Sequence, residues 1–423
     1  MNKRVVITGL GVVAPNGSNI PAFLSAIQKG ESGVRFNSEM HALKLGCNVS
    51  GIPLFDETSL AAYLPESKLK GLQSTNIKYG IAAALEAWVD AGLTINQETT
   101  DYDTGCIIGS GSPDITTLRW GINLADNFES RKLGSSFVEQ IMASGPAAYI
   151  GGILGLGNVV TSNSSACSTG TESILTAYQK IKLGDAKRMI AGSCDPSSSY
   201  TWSAFDAIRV ITRKNNDNPT AASRPMSATA SGFVPGSGAG VLILEELETA
   251  IQRGAKIYGE ILGGAVNSGG QREGGTMTAP NSKGVLKCFE KAIESSGINP
   301  NDVDLICGHL TSTFADKVEI KNWATALGRY GKDFPHINSL KSMTGHCLAA
   351  TGSIETVAAV LQLHHHFVHP NLNCEDLHPE IAATIDPACI PMQIIKKPIK
   401  LVMKANFGFG DVNSCIVIAA LDR

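Results

Sequence analysis

The feature that most constrains this chain is an alternation, sustained from end to end, of short apolar β-rich runs with longer amphipathic stretches. Runs at 5–8, 106–109, 159–163, 189–191, 241–245, 257–265, 305–308, 401–405 and 415–420 read as strands. Stretches at 77–91, 173–182, 283–295, 317–327 and 353–365 carry helical periodicity. This alternation predicts α/β layers with parallel or mixed sheets. Several runs are apolar along their whole length, as strands are when helices cover both faces. No low-complexity linker divides the 423 residues. The best boundary falls at 246–256, which separates two similar halves, 1–250 and 251–423. Only 17% of residues are charged, against ~25% in an average soluble domain, which excludes a disordered or coiled-coil protein.

A formal charge of −3 sets up no net field toward nucleic acid or anionic lipid, so neither is an expected partner. The ten cysteines are scattered with no Cys-x-x-Cys, the pattern of reduced thiols in a cytoplasmic protein. The apolar start is broken by Thr8, Gly9 and Gly11 and ends in a Pro15-Asn16-Gly17 turn, so it reads as a first buried strand rather than a signal peptide. No apolar stretch is long enough to span a membrane.

The sharpest local feature is Asn158-Val-Val-Thr-Ser-Asn-Ser-Ser-Ala-Cys167-Ser-Thr-Gly170, where an apolar strand enters a turn of small residues and then an amphipathic helix. Cys167 therefore falls at a helix N-terminus, where the macrodipole and free N–H groups favour a thiolate and can hold an oxyanion. This is the layout of a nucleophile elbow, although an inert buried thiol fits the local pattern too. His309 ends an apolar strand in Gly308-His-Leu-Thr-Ser-Thr313, and His346 lies in Lys341-Ser-Met-Thr-Gly-His346 ahead of a helix. Such positions face the ligand crevice of α/β folds, where a neutral imidazole donates a hydrogen bond or moves a proton. Either histidine alone would more often be structural. Together with Cys167 they make a Cys-His-His hypothesis.

These three blocks resemble the catalytic blocks of β-ketoacyl-ACP synthases of the I/II type. Arg4-Val-Val-Ile-Thr-Gly-Leu-Gly11, Asn216-Asp-Asn-Pro-Thr-Ala-Ala-Ser-Arg-Pro225, Gly232-Phe-Val-Pro-Gly-Ser-Gly-Ala-Gly240 and Asn406-Phe-Gly-Phe-Gly-Asp-Val-Asn413 extend the resemblance over the whole chain in the family's order. It implies a thiolase-like fold, two similar α/β halves in a five-layered α-β-α-β-α body that dimerises. It also implies decarboxylative Claisen condensation. Cys167 would take the acyl chain from an acyl carrier protein, and His309 and His346 would decarboxylate malonyl-carrier protein. The N–H groups of Cys167 and Phe409 would form an oxyanion hole, and Lys341 would support the histidines with Glu319 as its partner. Thr311 and Thr313 match pantetheine-binding threonines, and Gly408, Gly410 and Asp411 lie in the gating loop. No cofactor is implied, since the phosphopantetheine arrives on the carrier protein, and no metal.

Departures from the family pattern bear on substrate. Leu310 replaces a glycine beside the pantetheine channel, and Ser237 stands where an acid is common. Asp411 takes a hinge glycine's place and adds a charge near the acyl-pocket entrance. The loop around 267–276 looks long and glycine-rich. These features point to a specialised type II polyketide or aryl-polyene ketosynthase, whose dimer partner would be a second copy or a chain-length-factor-like subunit. The alternatives are a housekeeping fatty-acid elongation homodimer, a degradative thiolase with a second catalytic cysteine among Cys307, Cys347 and Cys415, and a non-catalytic partner subunit. Lys68, Lys70, Arg209, Arg213 and Lys214 are candidates for docking an acidic carrier protein, or a plain solvated face. The cluster His364-His365-His366 with His369 reads as surface rather than a metal site, because Pro370 closes it and no acid or thiol has a fixed spacing.

Overall fold

In the computed structural model, which describes residues 3–95 and 98–421 apart from the side chains of 67 and 68, ten strands form one continuous sheet. In chain order they are β1 (Val5–Val13), β2 (Thr104–Ser110), β3 (Val160–Thr161), β4 (Arg188–Asp195), β5 (Gly238–Glu246), β6 (Gly259–Ser268), β7 (Leu305–Cys307), β8 (His336–Asn338), β9 (Leu401–Gly408) and β10 (Val412–Ala419). Across the sheet they run β3-β2-β4-β5-β1-β6-β10-β9-β7-β8. From either edge inward the order is the same permutation, 3-2-4-5-1 and 8-7-9-10-6. Directions repeat as well. β2 is parallel to β3 and β4, and β5 is antiparallel to β4 and β1. β7 is parallel to β8 and β9, and β10 is antiparallel to β9 and β6. A short antiparallel seam, Val5 to Ile7 against Gly259 to Ile261, joins the halves.

Helices stack this sheet into layers. Helices α1 (Thr75–Asp90) and α2 (Gly145–Leu154) cover the outer face of the first half. Helices α3 (Thr169–Leu183) and α6 (Thr351–His365) lie in the middle and touch strands of both halves. Helix α4 (Ser282–Ser296) packs on β6 and β10, and α5 (Ala315–Leu327) packs on α4. The result is the five-layered α-β-α-β-α body of the thiolase-like fold. Strands β1 and β10 are sealed by apolar clusters on both faces, which is why their sequences do not alternate. No helix among the described residues is long and apolar enough to cross a membrane.

The middle layer positions the chemistry. A Cβ on Gly170 would lie 2.4 Å from the Ser353 nitrogen, and one on Gly352 would lie 2.6 Å from the Thr171 nitrogen. Only glycine at both places lets the N-termini of α3 and α6 meet backbone to backbone, bringing the residues before each helix to one point.

The strands extend beyond the apolar runs because glycine and serine continue the ladders, as in β1 and β4. Two departures from the sequence reading have clear causes. Strand β8 is His-Ile-Asn, too polar and too short for an apolar run, yet it pairs in parallel with β7. Strand β3 shrinks to two residues because the rest of 159–163 turns into the loop before Cys167.

Candidate active site

Cys167 lies in a single 3₁₀ turn, Ala166–Ser168, directly ahead of α3. Ala166 sits at φ 49°, a left-handed conformation unusual for a residue with a side chain. The turn is held by Thr169, whose hydroxyl donates to the Ala166 carbonyl at 2.7 Å and accepts the Ser165 N–H at 2.8 Å. Ser168 donates to the Asn406 carbonyl at 3.1 Å, tying the turn to β9. His309 follows β7, and His346 lies two residues before the 3₁₀ turn Leu348–Ala350 that leads into α6. The Cys167 sulfur and a ring nitrogen of each histidine lie within 4.8 Å of one another. The imidazoles meet edge to face, centroids 5.3 Å apart. The three side chains line a pocket of about 350 Å³.

The backbone around each ring fixes its tautomer. The Leu348 N–H donates to His346 Nδ1 at 3.1 Å, so the proton of the neutral ring is on Nε2. Asn406 Nδ2 lies 3.1 Å from His309 Nδ1, so this ring too carries its proton on Nε2. Burial, with Lys341 nearby, pushes both imidazoles well below the ordinary histidine range and keeps them neutral. The site therefore offers two neutral N–H donors beside one sulfur.

Burial pushes the Cys167 thiol up to about 12, outweighing the opposing pull of Lys341 and of a hydrogen bond from the Phe409 N–H. Burial thus opposes the thiolate that the helix N-terminus favours. Phe409 aims its N–H at the sulfur because Gly408 lets β9 press against the turn. A Cβ on Gly408 would sit 2.6 Å from the Ser165 carbonyl oxygen.

Beneath the histidines lies a charge cluster the sequence reading paired wrongly. Lys341 bonds Glu355 at 2.5 Å, not Glu319. Glu319 instead accepts the His309 and Leu310 N–H groups, each at 2.7 Å, and the Trp323 indole at 3.2 Å. It orients the His309 backbone and cannot also reach Lys341. A second buried lysine, Lys404, lies 3.3 Å from Glu355. Glu355, Lys404, Asn406 and Thr171 were missed as site residues. Their signal was a lone charge inside an otherwise apolar element, Glu355 in α6 and Lys404 in β9.

The pocket wall also holds Thr311, Thr313, Gly408, Phe409, Glu319 and Arg209. Gly410 and Asp411 are not on it. Asp411 is fully buried at φ 61° and accepts hydrogen bonds from Gln271 N at 2.9 Å, Asn281 N at 3.1 Å and Asn281 Nδ2 at 3.1 Å. It staples the gating turn to loop 269–281 and places no charge at the pocket entrance. Leu310 turns into the apolar core rather than lining the channel. Among the cysteines only Cys167 is partly exposed, opening on the pocket, so Cys307, Cys347 and Cys415 are not placed as second nucleophiles. Arg209 is exposed at the pocket, Lys214 is exposed, and Arg213 pairs with Asp206 at 3.1 Å. Lys70 pairs with Glu66 at 2.7 Å, and the side chain of Lys68 lies outside the described residues. His364 packs on Tyr258, and His369 bonds the Pro370 carbonyl at 2.9 Å.

A duplicated α/β body gathering one cysteine and two neutral histidines between its halves has the architecture of the thiolase-type ketosynthases. The β-ketoacyl synthase N-terminal domain model matches residues 2–250, and the C-terminal domain model matches residues 258–375. The chain is 33% identical to 3-oxoacyl-[acyl-carrier-protein] synthase 2 of Vibrio harveyi, covering 98% of each. It is 32% identical to 3-oxoacyl-[acyl-carrier-protein] synthase 1 of Escherichia coli K12, covering 99% of each. A β-ketoacyl synthase structure from Burkholderia phymatum STM815 superposes with TM-score 0.89 at 28% identity, covering 99% of this chain and 100% of that one. The type II PKS assembly AntDE:AntF, an acyl-carrier protein in complex with its ketosynthase bound to the hexaketide, gives TM-score 0.87 at 29% identity over the whole of both chains. The chain belongs to the β-ketoacyl synthase family.

Proposed function

We propose that the protein is a β-ketoacyl-ACP synthase that condenses an acyl chain held on Cys167 with a malonyl unit carried by an acyl carrier protein. The observation that carries this reading is the pair of neutral imidazoles, each with Nδ1 facing an N–H donor, whose ring nitrogens gather within 4.8 Å of the Cys167 sulfur. In the first half-reaction the Cys167 sulfur displaces the carrier thiol from the acyl thioester, and the Cys167 proton leaves with that thiol. The N–H groups of Cys167 and Phe409 receive the oxyanion of the tetrahedral intermediate, where one such donor is worth ~3 kcal/mol. In the second, the histidine N–H groups hold the thioester oxygen of the malonyl unit while its carboxylate departs as CO₂. The enolate carbon attacks the acyl thioester carbonyl, the carbon–sulfur bond to Cys167 breaks, and the departing thiolate takes one proton from solvent to restore the thiol. Neutral donors suit this step, because they stabilise the enolate oxygen without transferring a proton that would quench it.

Pantetheine enters past Thr311 and Thr313, whose hydroxyls lie 3.0 Å apart on the pocket wall. Arg209 and Lys214, with Lys68, Lys70 and Arg213 as outer candidates, are assigned to carrier docking. The repeated strand order supports reading residues 1–250 and 251–423 as two halves. The stapled gating loops favour a specialised polyketide or polyene chain made in the cytoplasm with a second ketosynthase-like subunit. The curated relatives favour the second reading, fatty-acid elongation as a homodimer. Reconstitution with acyl- and malonyl-loaded carrier protein tests the reaction, and the masses of co-purifying subunits test the pairing. Full activity of the assembled complex with Cys167→Ala would make this chain the non-catalytic partner.

A further inference from the structure

Lys404 is fully buried on β9, one residue pair below the site, and no step described above uses it. Its ammonium donates to Thr171 Oγ1 at 2.9 Å and faces Glu355 at 3.3 Å. An ammonium has no acceptor, so the Thr171 hydroxyl must send its own proton onward. It does so to Asn406 Oδ1, at 2.7 Å. That fixes which end of the Asn406 amide is which. Its Nδ2 then points at His309 Nδ1, at 3.1 Å, and at Glu355 Oε2, also at 3.1 Å. A carboxylate accepts only, so His309 Nδ1 is left with a donor and keeps its lone pair. All four residues that set this order, Lys404, Thr171, Asn406 and Glu355, are buried away from bulk solvent.

We propose that Lys404 is a positioning residue for the decarboxylation half-reaction, acting through Thr171 and Asn406 to hold His309 as the Nε2–H donor. The proposal rests on the ketosynthase reading. Without Lys404 the Thr171 hydroxyl is free to accept from Asn406, so the bond to Glu355 alone still opposes turnover of the amide. In the turned-over fraction Oδ1 stabilises the wrong tautomer, with the proton on Nδ1 and a bare Nε2 facing the substrate. Glu355 keeps Lys341 as its partner in either case, so the cluster stays paired. The two lysines also leave an excess positive charge under both histidines, which adds to the burial that keeps them neutral.

The test compares Lys404→Met, Thr171→Val and Thr171→Ser in the full-length protein. Two rates are measured: CO₂ release from malonyl-carrier protein, and acyl transfer onto Cys167. A second readout is the ¹⁵N spectrum of the protein labelled at histidine, which reports the protonated nitrogen of each ring directly. We expect the ratio of decarboxylation to acyl transfer to fall at least tenfold in Lys404→Met and Thr171→Val and to recover in Thr171→Ser. His309 should show one Nε2–H tautomer in the unmodified protein and both tautomers in Thr171→Val. A ratio that falls less than tenfold in either variant, or a single Nε2–H tautomer persisting in Thr171→Val, overturns the proposal. Absence of CO₂ release from the unmodified protein would instead overturn the ketosynthase reading, while the tautomer measurement still decides the role of Lys404. Should Lys404→Met not fold, the Thr171→Val and Thr171→Ser pair decides alone.

Discussion

Asp411 joins two loops that border the pocket, so replacing it by glycine should loosen them by an amount the hydrogen bonds set. Gln271 is exposed, so its N–H is rehydrated on losing the carboxylate, at a net cost of ~1 kcal/mol. The Asn281 N–H is buried, and stranding it costs ~2 kcal/mol. Asn281 Nδ2 keeps the Gly269 carbonyl at 2.8 Å as a partner, so its loss is ~1 kcal/mol. Glycine at φ 61° recovers ~1 kcal/mol of the left-handed penalty that a side chain carries there. The balance is ~3 kcal/mol, or roughly 100-fold more frequent opening of segment 269–281. Amide hydrogen exchange measures it directly, as a roughly 100-fold loss of protection in Asp411→Gly confined to that segment and the gating turn. Asp411→Asn, which tolerates the same backbone and keeps one acceptor oxygen, should fall between. Protection of 269–281 within threefold of the unmodified protein would refute the stapling argument. The loosened gate should also shift the chain-length distribution of products, and an unchanged distribution would count against a gating role.

The remaining predictions concern the buried cluster and the two rings. Glu355→Gln leaves Lys341 and Lys404 without an anion and should destabilise the fold by ~3–5 kcal/mol, measured by denaturant unfolding. Adding Lys404→Met should return much of that loss, and a double variant as unstable as the single one would contradict the shared-anion geometry. His309→Ala and His346→Ala should each slow CO₂ release from malonyl-carrier protein more than acyl transfer onto Cys167. Undiminished release in both variants would remove the roles given to them. Because burial lowers both imidazoles well below the usual histidine value, each stays neutral as pH falls through 6.5, and its protonation comes only at lower pH. Decarboxylation should therefore show no acid limb near pH 6.5, and a clear limb there would contradict the neutral-donor assignment.

Much of this was legible in the sequence for a physical reason. The wholly apolar runs marked the doubly covered strands, and three short motifs marked the elbow and the two histidines. Neither signal depends on distant parts of the chain. The pairing of Lys341 was not legible, because Glu319 and Glu355 are both acids within reach in sequence and only the packing of α6 under the pocket decides between them. Asp411 was misplaced for a similar reason. A charge at a hinge position suggests exposure, whereas three donors brought by loop 269–281 make burial favourable. The thiol at Cys167 was read from helix geometry alone, which gives the sign of the dipole but not the depth of the pocket. Strand β8 was invisible because His336 and Asn338 flank a single isoleucine.

In the proposed reaction the acyl chain resides on Cys167 and leaves it by attack of a decarboxylated malonyl unit. Mass spectrometry after incubation with acyl-loaded carrier protein tests it most directly. We expect one acyl group on the peptide containing Cys167, discharged as a β-ketoacyl-carrier product with CO₂ when malonyl-carrier protein is added. An acyl adduct that persists in Cys167→Ala, or condensation that proceeds with Cys167 unmodified throughout, would contradict it.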